Sequence, residues 1–203
     1  MPHFTLTSDT PWKTTFCDAS GQVVYKTESH RVFLGPRKMN ITRLLPHPTT
    51  IAEIDYRYTS NSKIRYGGQE TKSDKFFRKE GWSWNGRGRL FTGPDGQEYV
   101  WKMKDENCVV SAHNLHLLNG KLSSLICYKL YWKGNKETPA ATYHPPKSGL
   151  FRKGRPGSLE IRSEVMYMCD LVVMTFIYIE KFRQDRLEEN DFIDDAIENS
   201  AGE

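Results

Sequence analysis

Apolar and polar residues alternate through most of this chain, in short runs separated by turn-forming residues, and that two-residue period predicts strands. Thr14–Cys17 and Gln22–Lys26 flank Asp18-Ala19-Ser20-Gly21, where Gly21 can supply the positive φ of a tight hairpin loop. Arg37–Leu45 sets Met39 and Ile41 against Lys38, Asn40 and Arg43, and Pro46-His47-Pro48 stops it. Thr50–Tyr58 follows, with Ile51, Ile54, Tyr56 and Tyr58 marking a strand whose period slips by one residue near Ala52-Glu53. Lys63–Tyr66 ends at Gly67-Gly68. Leu90–Thr92 and Gln97–Lys104 flank the turn Gly93-Pro94-Asp95-Gly96, and Tyr99, Trp101 and Met103 fall on one face of the second run. Val109-Val110, Ile126–Tyr131, Ala140–Tyr143 and Ser158–Ile161 complete a set of ten to twelve short strands. Ser111–Ser124 has neither period, and Lys72–Gly81 is helix-like, with Ser73 or Asp74 as cap and Gly81 as stop.

One stretch breaks the alternation. From Val165 to Ile179 only Asp170 is charged, and apolar side chains occupy every face at helical spacing. Fifteen residues are too few to span a bilayer, which takes about 20, and too many for an ordinary strand, which stops near 10 residues. A helix apolar all round has to be surrounded by protein. The expected fold is therefore mainly β: about twelve antiparallel strands closed into a barrel around a central C-terminal helix of about 164–187, with no transmembrane segment. Val173 and Phe176 are expected in that core, and Asp170 is expected to hydrogen-bond a neighbouring strand, since a buried carboxylate must be paired or protonated. Residues 1–187 read as one domain and 188–203 as an acidic, disordered tail.

Charge sharpens that division. The formal net charge of +4 hides eight acidic residues from Asp185 onward against a single base, Arg186. The remainder holds 28 basic and 17 acidic residues, about +11. A basic body attracts polyanions, although a solvated surface with a solubilising acidic end explains the same numbers. Three basic sets fall in loops or at strand ends: Arg37 and Lys38; Arg87 and Arg89 with Trp82 and Trp84; and Lys147, Arg152, Lys153 and Arg155. Arginine, lysine and the amides of glycine-bearing loops make phosphate sites, and neighbouring tryptophans sit well at a membrane interface. No secretory leader is read at the N-terminus, and Cys17, Cys108, Cys127 and Cys169 lack CxxC spacing, so reduced thiols in an intracellular, cytoplasmic protein are expected.

Catalytic and cofactor chemistry finds little support. Cys108, His113, His116 and Cys127 pair only the two histidines at zinc-ligand spacing. There is no nucleophile elbow, Walker A loop or dinucleotide fingerprint. Glu53 and Asp55 share a face at strand spacing, which fits exposed positions beside Arg57 and Lys63 better than a catalytic dyad. No catalytic residue, metal or cofactor is assigned.

Several segments in order, TLTSDTPWKTTFCDASGQVVYKT, IAEIDYRY, KIRYGGQE, DKFFRKEG, LFTGPDGQEYVWK, PAATYHPP, SLEIRSE and MCDLVVMTFIYIEKFRQDR, resemble an uncharacterised family found mainly in basidiomycete fungi. That family is similar to the tubby C-terminal-like superfamily, alongside LURP-one-related and phospholipid-scramblase proteins. The resemblance runs from about Thr5 to Arg186. It implies a twelve-stranded antiparallel barrel threaded by a hydrophobic helix and, through the tubby domains, phosphoinositide binding. No headgroup motif of that superfamily aligns onto named positions here. The functional expectation is a non-enzymatic binding domain that docks on anionic phospholipid or phosphoinositide headgroups through its basic loops. The alternative is a protein-interaction scaffold using the barrel surface and the acidic tail. Nucleic acid ranks below both, because the basic residues match no known module.

Overall fold

The computed structural model describes residues 2–31, 37–80, 88–102, 128–135, 137–147 and 155–200, with the side chains of residues 80, 128, 187 and 190–200 excepted. Its strands are β1 (His3–Leu6), β2 (Thr15–Cys17), β3 (Val23–Arg31), β4 (Arg37–Arg43), β5 (Thr49–Tyr56), β6 (Lys63–Tyr66) and β7 (Gln69–Lys72), then β8 (Arg78–Glu80), β9 (Gly88–Thr92), β10 (Glu98–Lys102), β11 (Tyr128–Trp132), β12 (Ala141–His144) and β13 (Ser158–Ile161). A short helix α1 (Ser73–Phe76) separates β7 from β8. A 3-10 segment, Ser163–Met168, leads into α2 (Cys169–Ser200).

All pairings are antiparallel, and the thirteen strands form one sheet ordered β7-β6-β5-β4-β3-β2-β1-β13-β12-β11-β10-β9-β8. Each strand pairs with its sequence neighbour, so the sheet is two meanders joined where β1 meets β13, with His3 opposite Glu160 and Thr5 opposite Ser158. The hairpin between β2 and β3 turns at Gly21, whose φ of 82° is the left-handed conformation expected for it. The slip expected in β5 is a bulge: Ile41 faces Ala52 but Thr42 faces Thr50, leaving Ile51 as the extra residue.

The sheet wraps α2. Leu171 to Lys181 are all buried, three full turns at 3.6 residues per turn, and that happens only when protein lies on every side. Phe176 meets Phe16 of β2 at 6.4 Å, Tyr143 of β12 at 4.6 Å and Trp101 of β10 at 6.2 Å between ring centroids. Tyr178 meets Tyr56 of β5 at 5.8 Å. The Trp101 indole N–H donates to Thr175 Oγ1 at 3.0 Å, so the one polar side chain at mid-helix has a partner. Val173 is fully buried. Leu90, Val100 and Tyr131 form a second, small apolar cluster on the opposite face of β9–β11.

Three expectations need correction. Hydrogen bonding does not close the sheet, because β7 and β8 do not pair. Phe76 and Phe77 fill that seam instead: Phe77 stacks on Tyr178 at 4.8 Å and meets Phe91 edge-on at 6.2 Å. The helix expected over Lys72–Gly81 is one turn followed by strand β8, since Arg78–Glu80 find partners along Gly88–Leu90. The C-terminal residues from 188, expected to be disordered, continue α2 to Ser200. From Arg186 to Ser200 there is no proline or glycine, so nothing in the backbone stops the helix. No helix among the described residues is long and apolar enough to cross a membrane.

Candidate anion-binding groove and the helix entry

The entry of α2 is fixed by a polar cluster. Asp170 accepts hydrogen bonds from Tyr25 Oη of β3 at 2.8 Å and from Arg43 Nη1 of β4 at 2.6 Å, the strand contact its burial demands. Tyr25 Oη also lies 3.2 Å from Cys169 Sγ. Burial pushes the Cys169 thiol up to about 11, a protonated, inert sulfur rather than a nucleophile. Burial, with Cys169 and Asp170 alongside, raises the Tyr25 phenol as well. A groove of about 450 Å³ opens beside the cluster, and among its walls are Glu53, Arg65, Tyr66 and Asp170. Its charges are matched: Arg65 reaches Glu53 and Asp55 at 3.2 Å and Glu70 at 2.8 Å. Arg65, rather than Arg57, is thus the cation between the two β5 carboxylates. Cys17 and Cys169 are free thiols. The suggested zinc residues Cys108, His113, His116 and Cys127 lie outside the described residues.

The other end of the helix is where positive charge collects. A groove of about 540 Å³ lies at the seam between β7 and β8. One wall is the turn after β5, Arg57 to Asn61, pinned to α1 by two buried serines. The Ser62 backbone N–H donates to Ser73 Oγ at 3.0 Å, the Ser73 N–H donates to the Ser62 carbonyl at 2.9 Å, and Ser62 Oγ donates back to the Arg57 carbonyl at 3.1 Å. The facing wall is Arg78 and Lys79 of β8 with Arg89 of β9, and the floor is Phe77, Tyr178 and Phe182.

Among the described residues, three cations therefore offer charge to this groove, Arg57, Lys79 and Arg89, against one carboxylate, Asp74; Arg78, opposite Leu90, turns its side chain to the other face of the sheet. Asp74 is engaged at its rim by the Asn61 amide at 2.9 Å. Arg78 pairs with Glu98, which Lys133 shares at 2.5 Å. Arg57 and Lys79 are exposed, and neither side chain has a hydrogen bond or ion pair among the described residues. Arg89 is only 9% exposed and lies with Cζ 4.7 Å from the Phe182 ring centroid. Burial lowers its pKa.

Among the described residues, Arg89 alone of the expected basic positions lines the groove. Arg37 and Lys38 open β4; Arg37 donates to Ser29 Oγ at 3.4 Å, and exposed Lys38 stands between His30 and Asp55 in the sheet register. Lys147 and Arg155 are exposed and exchange backbone hydrogen bonds of 2.8 and 3.0 Å after β12 and before β13. By register these strand ends lie at the end of the sheet from which α2 leaves, so the basic sets share one end without converging on one pocket. Trp82, Trp84, Arg87, Arg152 and Lys153 lie outside the described residues. Sequence reasoning does not single out Arg57 or Lys79: it sets the first beside Glu53 and Asp55 and the second inside a helix.

A match to a protein family of unknown function, DUF6593, spans residues 9–185. The chain belongs to that family. The matched span runs from just after β1 through the buried part of α2 and contains the whole groove. Comparison with curated proteins and with solved structures finds no match.

Proposed function

We propose that this domain is a non-enzymatic binding module that docks on anionic phospholipid headgroups through the groove at the β7–β8 seam. The observation that carries the proposal is the set Arg57, Lys79 and Arg89 around a single carboxylate among the described residues, with an aromatic floor. The Arg57 guanidinium and the Lys79 ammonium, which have no polar side-chain partner among the described residues, are suited to phosphate oxygens, which accept charge-assisted hydrogen bonds from them. The other cations at this end of the sheet, Lys38, Lys147 and Arg155, would add a diffuse attraction to an anionic leaflet. The resemblance of the sequence to tubby C-terminal-like proteins supports the same reading, with a barrel around a central helix as its scaffold and a peripheral membrane site in the cytoplasm as its place of work.

Co-sedimentation of the full chain with vesicles tests this. Binding should appear with phosphatidylcholine vesicles carrying phosphatidylserine or a phosphoinositide, be absent from pure phosphatidylcholine, and weaken with salt. Reversing Arg57 and Lys79 to glutamate together should abolish it. Binding that is absent, indifferent to salt, or unchanged by the double reversal overturns the proposal.

A second reading, a protein-interaction scaffold, draws on one observation: α2 runs past its buried turns to Ser200, carrying Asp191, Asp194, Asp195 and Glu198 on an extended helix. Deleting residues 188–203 should then remove a captured partner.

A further inference from the structure

The acidic end of α2 is not remote from the basic groove. Phe182 forms part of the groove floor, and Glu189 follows it by seven residues, about two helical turns, so the two share one face of the helix. Tyr58, a wall residue, bridges them: its ring lies 5.9 Å from that of Phe182, and its hydroxyl donates to Glu189 Oε2. Burial and this carboxylate together push the Tyr58 phenol up to about 12. Arg186 lies on the same face, its Cζ 5.8 Å from the Phe182 ring, and adds one more positive charge to that side. Glu189 is exposed, so the contact is available to solvent and able to open.

We infer that Glu189, latched to Tyr58, is an intramolecular competitor for the anion taken by the groove. This rests on the proposed headgroup reading and concerns the regulation of that same site. An arriving phosphate would meet a carboxylate at the rim and either suffer its repulsion or displace it. Displacement breaks the Tyr58 hydrogen bond and swings the acidic turns of α2 away. Occupancy of the groove and the position of the acidic helix end are thereby linked, and by reciprocity anything that holds the helix end elsewhere favours lipid binding.

The test measures affinity of the full chain for phosphoinositide-bearing phosphatidylcholine vesicles. Glu189→Gln and Tyr58→Phe should each tighten binding by about two- to fivefold, the range set by a rim charge pair. The combined variant should tighten it no further than the better single one, because both act through one contact. Glu188→Gln removes the same charge from a position about 100° away around the helix and should change affinity less. If wild type binds but Glu189→Gln does not tighten it, or Glu188→Gln tightens it equally, the latch is overturned while the headgroup reading stands. If no form of the chain binds anionic vesicles, the headgroup reading fails and the latch with it.

Discussion

Arg43 Nη1 and Asp170 Oδ2 meet at 2.6 Å at the point where the central helix enters the sheet. The pair is half-shielded, with 38% and 23% of the two side chains exposed, so its Coulomb energy is screened in part. Its larger role is geometric: Arg43 ends β4 and Tyr25 stands on β3, so one carboxylate sets the rotation of α2 against two adjacent strands. Arg43 Nε is buried without a hydrogen-bond partner among the described residues, which makes the guanidinium depend further on Asp170.

Asp170→Ala should therefore cost about 1–3 kcal/mol in urea unfolding, the penalty for leaving buried donors unmade. Asp170→Leu combined with Arg43→Met and Tyr25→Phe should recover most of that loss, since replacing all partners removes the unmet groups together. A triple variant as unstable as Asp170→Ala would show that the cluster does more than satisfy itself.

The buried turns of the helix should tolerate no charge. Val173→Asp places an unpaired carboxylate where no exposure remains, at a cost of several kcal/mol. That is comparable with the whole stability of a domain. Phe176→Ala should cost about 3–5 kcal/mol through the cavity left among Phe16, Trp101 and Tyr143. Thermal melting reads both, and an unchanged melt for Val173→Asp would contradict a helix enclosed by the sheet.

That much of the fold was legible in the sequence because it is written in local pattern. Period-two alternation marks β3 to β6, and apolar residues on every face mark α2. The strands that escaped notice are the ones with little pattern to show: β1 buries only Phe4 and Leu6, and β7 has no buried residue. The groove was less legible still, because it depends on which edges meet. Lys72–Gly81 reads as helix in sequence, which hides the strand that carries Arg78 and Lys79. The rings of Phe76 and Phe77 instead plug the seam, and β8 pairs with β9, setting Lys79 opposite Arg89 while Arg78 turns to Glu98. Nothing local in residues 57–62 announces a wall opposite β8.

Alkaline pH should unfold the domain through its tyrosines. Burial first, with nearby carboxylates, raises the phenols of Tyr25, Tyr56, Tyr99 and Tyr143 above the ordinary 10.0, and Tyr58 to about 12. A pKa raised by folding means that the folded state holds the proton more tightly. The stabilisation is then complete below pH 10 and is lost as pH rises toward and past 12. Tyrosinate absorbance and far-UV circular dichroism should change together in a steep step above pH 10. Gradual ionisation near pH 10 with the fold intact would contradict the burial of these rings.

Acid should act through a different set and with the opposite sign. Lys133 and Arg78 hold Glu98 below its ordinary 4.5, and Arg162 with the local backbone and Ser163 pushes Glu164 down to about 2. Depressed carboxylates contribute stability that is present above pH 4.5 and lost as pH falls toward 2. Stability should be flat from neutrality to about pH 5 and decline below it, and Glu98→Gln should shallow that decline. An unchanged acid limb in Glu98→Gln would separate the Glu98 pairs from folding.

The cations of the groove should divide into two kinds. Arg57 and Lys79 are exposed, and neither side chain has a polar partner among the described residues, so truncating either to alanine should change the melting temperature little. Each truncation should lower affinity for anionic vesicles and flatten its dependence on salt, because one phosphate-facing charge is gone. Arg89 differs, being buried with its guanidinium over Phe182 at 4.7 Å. Arg89→Ala should lose both packing and the cation–π contact, lowering the melting temperature along with binding. Arg89→Met keeps the packing volume without the charge, so it should recover most of the stability and none of the binding. If Arg89→Met bound vesicles as well as wild type, the innermost cation of the groove would have no part in holding the headgroup, and Arg57 with Lys79 would have to hold it from the rim alone.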